Sequence, residues 1–340
     1  PFTVTRHQHS WTYTASGATI TAKCSKCSAS GGSVTIAAPA ELTYSGEGKP
    51  ATVTASSDWQ GPAASGITIS YIKSDMYGPE TLENGALPTN AGTYTASIKV
   101  GEATASVTYT IGKATPKAED FTFTAPTSLT YDGNVKSATV SPAKAGTGDV
   151  IVKYYDKDGK EATPKNAGEY TVKIDVAEST NYAAANGLTA DGWKFSITKA
   201  AAPAAETGSL TITNGTQLTY TYDFKQLLPE APNGDYGTVR YDLGNRQTAI
   251  NFTAHGYYLD PEIAEFEGSK LTLVGLYAKD GTATGQIGTV KVNVTTTNYE
   301  NFQLTLVLNA VNQIKPTPDG EITAAEITYG DALSKSTISG

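Results

Sequence analysis

The stretch APAELTYSGEGKPATV, residues 38–53, returns as APTSLTYDGNVKSATV at residues 125–140, 87 positions later. Each copy is followed by a second shared motif, LPTNAGTYTASIKV from Leu87 or TPKNAGEYTVKIDV from Thr163, and these lie 76 positions apart. Each copy then closes on a Lys-Ala step, in VTYTIGKA ending at Ala114 and in WKFSITKA ending at Ala200. Self-similarity at a fixed period is the signature of a repeat architecture, so two homologous units follow one another.

Inside these units apolar residues alternate with polar ones, as in ATVTAS, ITISYI, TYTASIKV, DVIVKYY and TVKVNVT. Period two is typical of β-strands, and the clusters SGEG, YDGN and KDGK suit tight hairpins. Units of this size predict an all-β protein of tandem immunoglobulin-like β-sandwich domains. One short helix is expected in DPEIAEFEG, with Asp260 as its N-cap and Gly268 at its end.

The repeats divide the chain into five segments. Residues 1–32 are expected to form a small N-terminal β-hairpin clip that carries His-x-His and Cys-x-x-Cys. Residues 33–114 and 115–200 are the two repeats. Residues 201–315 form a larger, divergent sandwich whose TTTNYENF echoes ESTNYAAA, and residues 316–340 begin a truncated further repeat. The joints are rich in Pro and Ala, so we expect short, semi-stiff linkers and an elongated rod.

The N-terminal segment concentrates the metal-binding residue types. His7 and His9 are two apart and project to one face of a strand, while Cys24 and Cys27 have the usual spacing of a metal knuckle. A hairpin that turns near residues 15–18 brings these four residues together as a closed, structural Cys₂His₂ zinc site. This segment is too small to form a hydrophobic core of its own, so removal of the metal by a chelator is expected to loosen the N-terminus alone. A Cys24–Cys27 disulfide and two free thiols are the alternatives that remain open.

The sequence offers no constellation for catalysis, and we expect no enzyme activity. His255 is the only His outside the N-terminal segment, and no Gly-x-Ser-x-Gly elbow accompanies it. Asp235, Asp242, Asp260 and Glu262 show no spacing that favours glycoside hydrolysis. No cofactor other than zinc is expected.

The charge and the hydropathy of the chain exclude some classes of binding partner. The formal net charge of −8 over 340 residues argues against nucleic acid and against anionic membrane surfaces. No apolar run is long enough for membrane insertion, and the lack of an initiator Met suggests a piece of a longer protein with its anchor elsewhere. A glycan or a host surface protein is the expected partner. We expect aromatic side chains in loops to bind it, and the candidates are Trp59, Tyr77, Tyr236, Tyr241, Tyr257 and Tyr258.

The motifs LTYDG (129–133), NAGEYTVKI (166–174), STNY (179–182) and ITYGD (327–331) resemble the YDG and MBG repeat domains of large bacterial surface proteins. The N-terminal segment is similar to an H-x-W-x-Y…C-x-x-C element that precedes such repeats in surface proteins of gut clostridia. This resemblance implies an extracellular protein at the bacterial cell surface, with a spacer or adhesive role and no catalytic residues. The expected function is a non-catalytic stalk that presents an adhesive region, and the alternative is a glycan- or host-protein-binding module centred on residues 201–315.

Overall fold

The computed structural model describes residues 7–76, 78–214, 217–258, 264–278, 283–312, 323–324 and 338–339. Across these residues the chain is built of strands, which confirms the all-β prediction. The helical elements of the described residues are short: the 3₁₀ turns Ala64–Gly66, Ala118–Asp120 and Phe224–Leu227, and the single α-helical turn α1, Arg246–Ala249. No helix among the described residues is long and apolar enough to span a bilayer.

The first repeat is a two-layer β-sandwich. One antiparallel sheet has the order β1-β2-β3-β4, formed by Trp11–Ser16, Thr19–Cys24, Ser30–Ala37 and Thr52–Ala55. The other has the order β6-β5-β7-β8, formed by β5 (Ile69–Asp75), β6 (Gly78–Thr81), β7 (Gly92–Val100) and β8 (Ala103–Ile111). Buried residues alternate along β7, which is why its sequence reads as apolar then polar.

The core between these two sheets includes the hairpin β1–β2. Ile20 on β2 is fully buried with Val34 and Ile36 of β3, in one cluster with Tyr94 and Ile98 of the opposite sheet. The boundary predicted at residue 32 therefore falls inside a sheet, and the hairpin is built into the first repeat.

The second repeat pairs β9 (Phe121–Thr124) with β10 (Thr139–Pro142), at positions equivalent to the end of β3 and to the whole of β4. Its second sheet contains β11 (Val150–Tyr155), β12 (Gly168–Val176), β13 (Ala185–Leu188) and β14 (Lys194–Ile197), with β12 paired to the other three strands. Trp193 is buried in this repeat and stacks on Phe123 of β9, with ring centroids 6.1 Å apart.

The third segment also has two sheets. The first has the order β15-β23-β22-β17 with β18 on β22, and the second has the order β16-β21-β19 with β20 on β21. Their bounds are β15 Thr207–Thr213, β16 Gln217–Asp223, β17 Val239–Asp242, β18 Ile250–Phe252, β19 Tyr257–Tyr258, β20 Ala264–Glu267, β21 Lys270–Ala278, β22 Gly285–Thr296 and β23 Phe302–Val311. Further on, β24 (Thr323–Ala324) pairs with β25 (Ile338–Ser339).

The short helix expected in DPEIAEFEG is wrong for the part that the structure describes. Residues 264–267 form β20, which pairs antiparallel with β21. Ala264 is buried and Glu265 is exposed, so the segment follows the two-residue period of a strand. Asp260 lies outside the described residues.

Contacts divide the chain into two compact units. Unit 1 comprises Pro1–Thr127, Ser137–Thr163 and Glu169–Phe195, and unit 2 comprises Ser128–Lys136, Pro164–Gly168 and Ser196–Gly340. This division does not follow the five segments read from the sequence, and those boundaries stay a prediction.

Candidate metal centre and ligand-binding residues

The hairpin β1–β2 positions the candidate metal ligands. Gly17 has a positive φ of 57° and allows the tight turn, and the register of the two strands then places Cys24 opposite Trp11. His9 lies two residues before Trp11. Beyond β2 the chain folds back, because the Cys24 amide donates to the carbonyl of Ala29 at 3.0 Å. This reversal returns Cys27 to the end of the hairpin.

The structure brings all four predicted ligands together. The ligand atoms of His7, His9, Cys24 and Cys27 all lie within 4.8 Å of one another. Nδ1 of His9 is 3.2 Å from Sγ of Cys24 and 3.6 Å from Sγ of Cys27. Nε2 of His7 is 3.8 Å from Sγ of Cys24. The cluster can hold a metal ion.

These distances fit a tetrahedral zinc ion. Zn–S bonds of about 2.3 Å and Zn–N bonds of about 2.0–2.1 Å, at the tetrahedral angle, place sulfur and nitrogen ligands about 3.6 Å apart. Of the three nitrogen–sulfur distances, one equals that value, one is shorter at 3.2 Å and one is longer at 3.8 Å. Two thiolates and two imidazoles would fill the coordination shell, which is the arrangement of structural rather than catalytic zinc.

The surroundings of the cluster favour the ionised thiolate. A hydrogen bond from His9 lowers the pKa of Cys24 to about 5, against the opposing effect of burial, and His7 adds to the lowering. Thiolate is the form that binds metal. The ring of His9 stacks on Trp11 with centroids 5.1 Å apart, which orients this imidazole. Neither cysteine is in a disulfide in the structure.

Three of the candidate ligand-binding aromatics pack inward. Tyr236 is 8% exposed and contacts the rings of Tyr299 and Phe302, and Tyr257 is 7% exposed and donates from its hydroxyl to Oδ1 of Asn214 at 2.7 Å. Ligand binding by these two residues would need exposed rings, and the structure instead buries both in the core of the third segment. Trp59 is half-buried against Tyr13, with centroids 5.6 Å apart, and joins the core of the first repeat. Tyr77 and the side chain of Tyr258 lie outside the described residues.

Tyr241 is the candidate that lines a cleft. Its ring stacks on Phe266 of β20, with centroids 6.3 Å apart and planes inclined by 19°. An open cleft of about 520 Å³ runs beside this pair, and Lys225, Arg240 and Ser269 also line it. Arg246 lines an adjoining cleft that Tyr241 and Phe266 also line. Sequence reasoning missed Phe266 and the arginines, although only three arginines occur in the whole chain.

The acidic candidates for catalysis serve as turn caps where the structure describes them. Oδ1 of Asp235 accepts from the amide of Gly237, and Oδ1 of Asp242 accepts from the amide of Gly244, both at 2.8 Å. His255 is exposed. Asp260 and Glu262 lie outside the described residues. The described carboxylates thus have structural roles: each caps an Asx turn and also accepts from a distant asparagine amide, Asn298 for Asp235 and Asn293 for Asp242, both at 3.3 Å.

No family model and no curated protein matches the chain. Among solved structures it is similar to the titin I-band fragment I67–I69, with 13% identity, 82% of this chain and 97% of that chain covered, and a TM-score of 0.27. It is also similar to immunoglobulin domains 1–5 of Sidekick-1, with 12% identity, coverage of 90% and 67%, and a TM-score of 0.28.

A surface glycan-binding protein of Bacteroides ovatus, SGBP-B in complex with a mixed-linkage heptasaccharide, matches with 9% identity, coverage of 88% and 71%, and a TM-score of 0.17. At these scores the likenesses carry no argument about function. The class of this chain, an all-β protein of tandem immunoglobulin-like sandwiches, rests on its own repeats and sheets.

Proposed function

We propose that this chain is a non-catalytic stalk of a bacterial cell surface, built from tandem immunoglobulin-like repeats and closed at its N-terminal end by a structural zinc ion. The stalk spaces or presents an adhesive region. Its localisation is extracellular, in line with the resemblance of the repeats to surface-protein modules.

One observation carries this proposal: along β7 and β12 the two repeats share three of four buried residues and differ at three of four outward positions. Tyr94, Ile98 and Val100 of β7 correspond to Tyr170, Ile174 and Val176 of β12, and all six are buried. The outward positions Thr93, Ser97 and Lys99 correspond to Glu169, Lys173 and Asp175, while Thr95 is kept as Thr171. Strands that keep their buried side chains and change most of their outward ones fit a spacer, because a ligand bound on this sheet face in both repeats would call for shared outward side chains.

Small-angle scattering of the whole chain tests the stalk. A compact globule of this length has a radius of gyration of about 20 Å, and a stalk has a clearly larger one. A value near 20 Å would overturn the proposal.

Metal analysis tests the zinc ion separately. Protein purified without added zinc should contain one zinc per chain, and Cys24→Ser should lose it. Ser28→Ala, which changes an exposed residue next to Cys27, should keep it. A zinc-free protein whose intact mass is lower by two hydrogen atoms would instead establish the Cys24–Cys27 disulfide.

The cleft beside Tyr241 and Phe266 favours a second function, the binding of a glycan. Aromatic walls with a few polar side chains are typical of ligand sites, and the cationic groups here suit an acidic sugar. Tyr241→Ala should abolish retention on a glycan array, whereas Tyr155→Ala, at a tyrosine of β11, should not. An array on which the two variants behave alike would remove this second function.

A further inference from the structure

The second and third repeats carry the same short loop, which the first repeat lacks. Ser179-Thr180-Asn181-Tyr182 follows β12, and Thr296-Thr297-Asn298-Tyr299 ends β22, 117 positions later. In the first repeat the equivalent strands β7 and β8 are joined directly at Gly101–Glu102. We call residues 179–183 and 296–300 the Asn-Tyr loops.

Each Asn-Tyr loop is closed on itself in the same way. The amide of Tyr182 donates to Oγ of Ser179 at 3.2 Å, and the amide of Tyr299 donates to Oγ1 of Thr296 at 2.9 Å. A hydroxyl that accepts from the backbone three residues on fixes a tight turn. The Asn side chain is thereby held out for contacts with other parts of the chain.

The Asn side chain binds the Asn-Ala-Gly motif of the preceding repeat. Oδ1 of Asn181 accepts from the Ala91 amide at 2.9 Å, and its Nδ2 donates to Oδ1 of Asn90 at 3.0 Å. In the next joint, Oδ1 of Asn298 accepts from the Ala167 amide at 2.9 Å, and its Nδ2 donates to Oδ1 of Asn166 at 3.1 Å. An amide is the side-chain group that can accept and donate in one plane, so neither Asp nor Ser could replace it fully.

The backbone of the loop pairs with the Lys-Ala step that ends the preceding repeat. Ala114 donates to the carbonyl of Asn181, and Ala183 donates back to Ala114, both at 2.9 Å. In the second joint the Ala200 amide donates to the carbonyl of Asn298, and the Glu300 amide donates to the carbonyl of Ala200, both at 2.8 Å. The ammonium groups of Lys113 and Lys199 donate to the carbonyls of Ser179 and Thr296, at 2.7 and 2.8 Å.

The Tyr of the loop packs on the Tyr of the Leu-Thr-Tyr motif. Tyr182 meets Tyr44 edge to face, with centroids 5.4 Å apart and planes at 75°, and Tyr299 meets Tyr131 at 5.6 Å and 74°. Tyr182 and Tyr299 are 6% and 1% exposed. Edge-to-face pairs of buried rings add to the stability that burial alone provides.

We propose that the Asn-Tyr loop is a docking element, and that its partner is the end of an immunoglobulin-like repeat that presents Leu-Thr-Tyr, Asn-Ala-Gly and Lys-Ala. The two joints share no residue, yet their contacts correspond atom by atom and differ in length by at most 0.1 Å in the Asn, Ala and Lys hydrogen bonds. The motifs therefore specify the joint, and the flanking sequences do not.

This proposal rests on the stalk, and it explains why the three motifs recur: they are the surface on which the next repeat is fixed. It also gives a consequence to the absence of this loop from the first repeat. A repeat without an Asn-Tyr loop can receive a neighbour at one end but cannot dock on a preceding repeat.

Residue-resolved hydrogen exchange of the full chain tests the docking element. Asn181→Ala removes both side-chain bonds and should speed exchange of the Ala91, Ala114 and Ala183 amides by about tenfold or more, since each lost bond weakens the joint. Asn90→Ala, on the other side of the contact, should speed exchange of the Ala114 and Ala183 amides in the same way. Asn186→Ala is the matched control, because Asn186 is an exposed Asn five residues further on.

Equal exchange in Asn181→Ala and Asn186→Ala would overturn the docking element. So would faster exchange spread evenly over β11 and β12, since that pattern reports a destabilised repeat instead of an opened joint. Scattering of the wild-type chain separates the two proposals. A large radius of gyration with unchanged exchange in Asn181→Ala would support the stalk and exclude the docking element. A small radius with faster exchange at the joint amides would support the docking element and exclude the stalk.

Discussion

Asp120 is a buried carboxylate whose charge depends on a few named contacts. Its side chain is 5% exposed, Oδ1 pairs with Nζ of Lys144 at 2.5 Å, and Oδ2 accepts from the Lys117 amide at 2.9 Å. Burial raises the pKa of Asp120, but the hydrogen bonds from Lys144 and the Lys117 amide outweigh it and leave the pKa below its ordinary value. A carboxyl with a lower pKa in the folded state stabilises the fold above its unfolded pKa of about 3.9.

We therefore expect the second repeat to lose stability as the pH falls below about 4, through the pKa of Asp120 in the folded state. Asp120→Asn should cost about 1–3 kcal/mol at neutral pH and should flatten this acid dependence, since it removes the charge that titrates. Urea unfolding followed at several pH values measures both effects. Asp191→Asn, at an exposed position in the same repeat, should change neither. If Asp120→Asn lost stability at low pH as the wild type does, the loss would arise from other carboxyl groups.

At the scale of elements, the hairpin β1–β2 is part of the first sandwich, so chelation should do more than loosen the N-terminus. Ile20 of β2 is fully buried opposite Val34 of β3, and the Ile36 amide donates to the carbonyl of Ala18 at 2.9 Å. The expectation of a purely local effect assumed a segment without a core. Loss of the metal ligands should instead destabilise the whole first repeat.

Fluorescence of a Trp193→Phe chain measures this coupling, because the remaining tryptophans, Trp11 and Trp59, both lie in the first repeat. A chelator, or Cys24→Ser, should lower the unfolding midpoint reported by these two residues. Ile20→Ala should lower the midpoint as well, because large-to-small core changes of this kind cost about 2–5 kcal/mol of unfolding free energy. Ile151→Ala, at a β11 side chain that is 61% exposed, is the control and should have little effect. A midpoint unmoved by chelation would show that the hairpin holds without metal.

The elements also show what could be predicted from the sequence. Strand periodicity and the spacing of His7, His9, Cys24 and Cys27 are local, so the hairpin and its ligand cluster followed from them. The buried state of Tyr257 depends on Asn214, 43 positions away, and no local pattern reveals such a partner. In the segment AEFE a local signal was misleading. The flanking cap and stop residues predicted a helix, but these four residues form a strand because they pair with β21.

At the scale of the whole molecule, the two joints should contribute independently to stability. The contacts of the first joint involve residues 44, 90–91, 113–114 and 179–183, and those of the second involve 131, 166–167, 199–200 and 296–300. In repeat proteins the total stability is close to a sum of repeat and nearest-neighbour terms. Changes at sites with no common partner usually add to within about 0.5 kcal/mol.

Asn181→Ala should therefore speed exchange at the Ala114 amide and leave the Ala200 amide unchanged, while Asn298→Ala should do the opposite. The chain with both substitutions should show each effect at its single-variant size. Asn298 is fully buried and also donates to the carbonyl of Asp235 at 3.0 Å, so its replacement should have the larger effect of the two. Asn301→Ala, at an exposed position three residues on, serves as its control. If Asn181→Ala alone altered exchange at Ala200, the second repeat would be transmitting the change, and the joints would have to be treated as one cooperative structure.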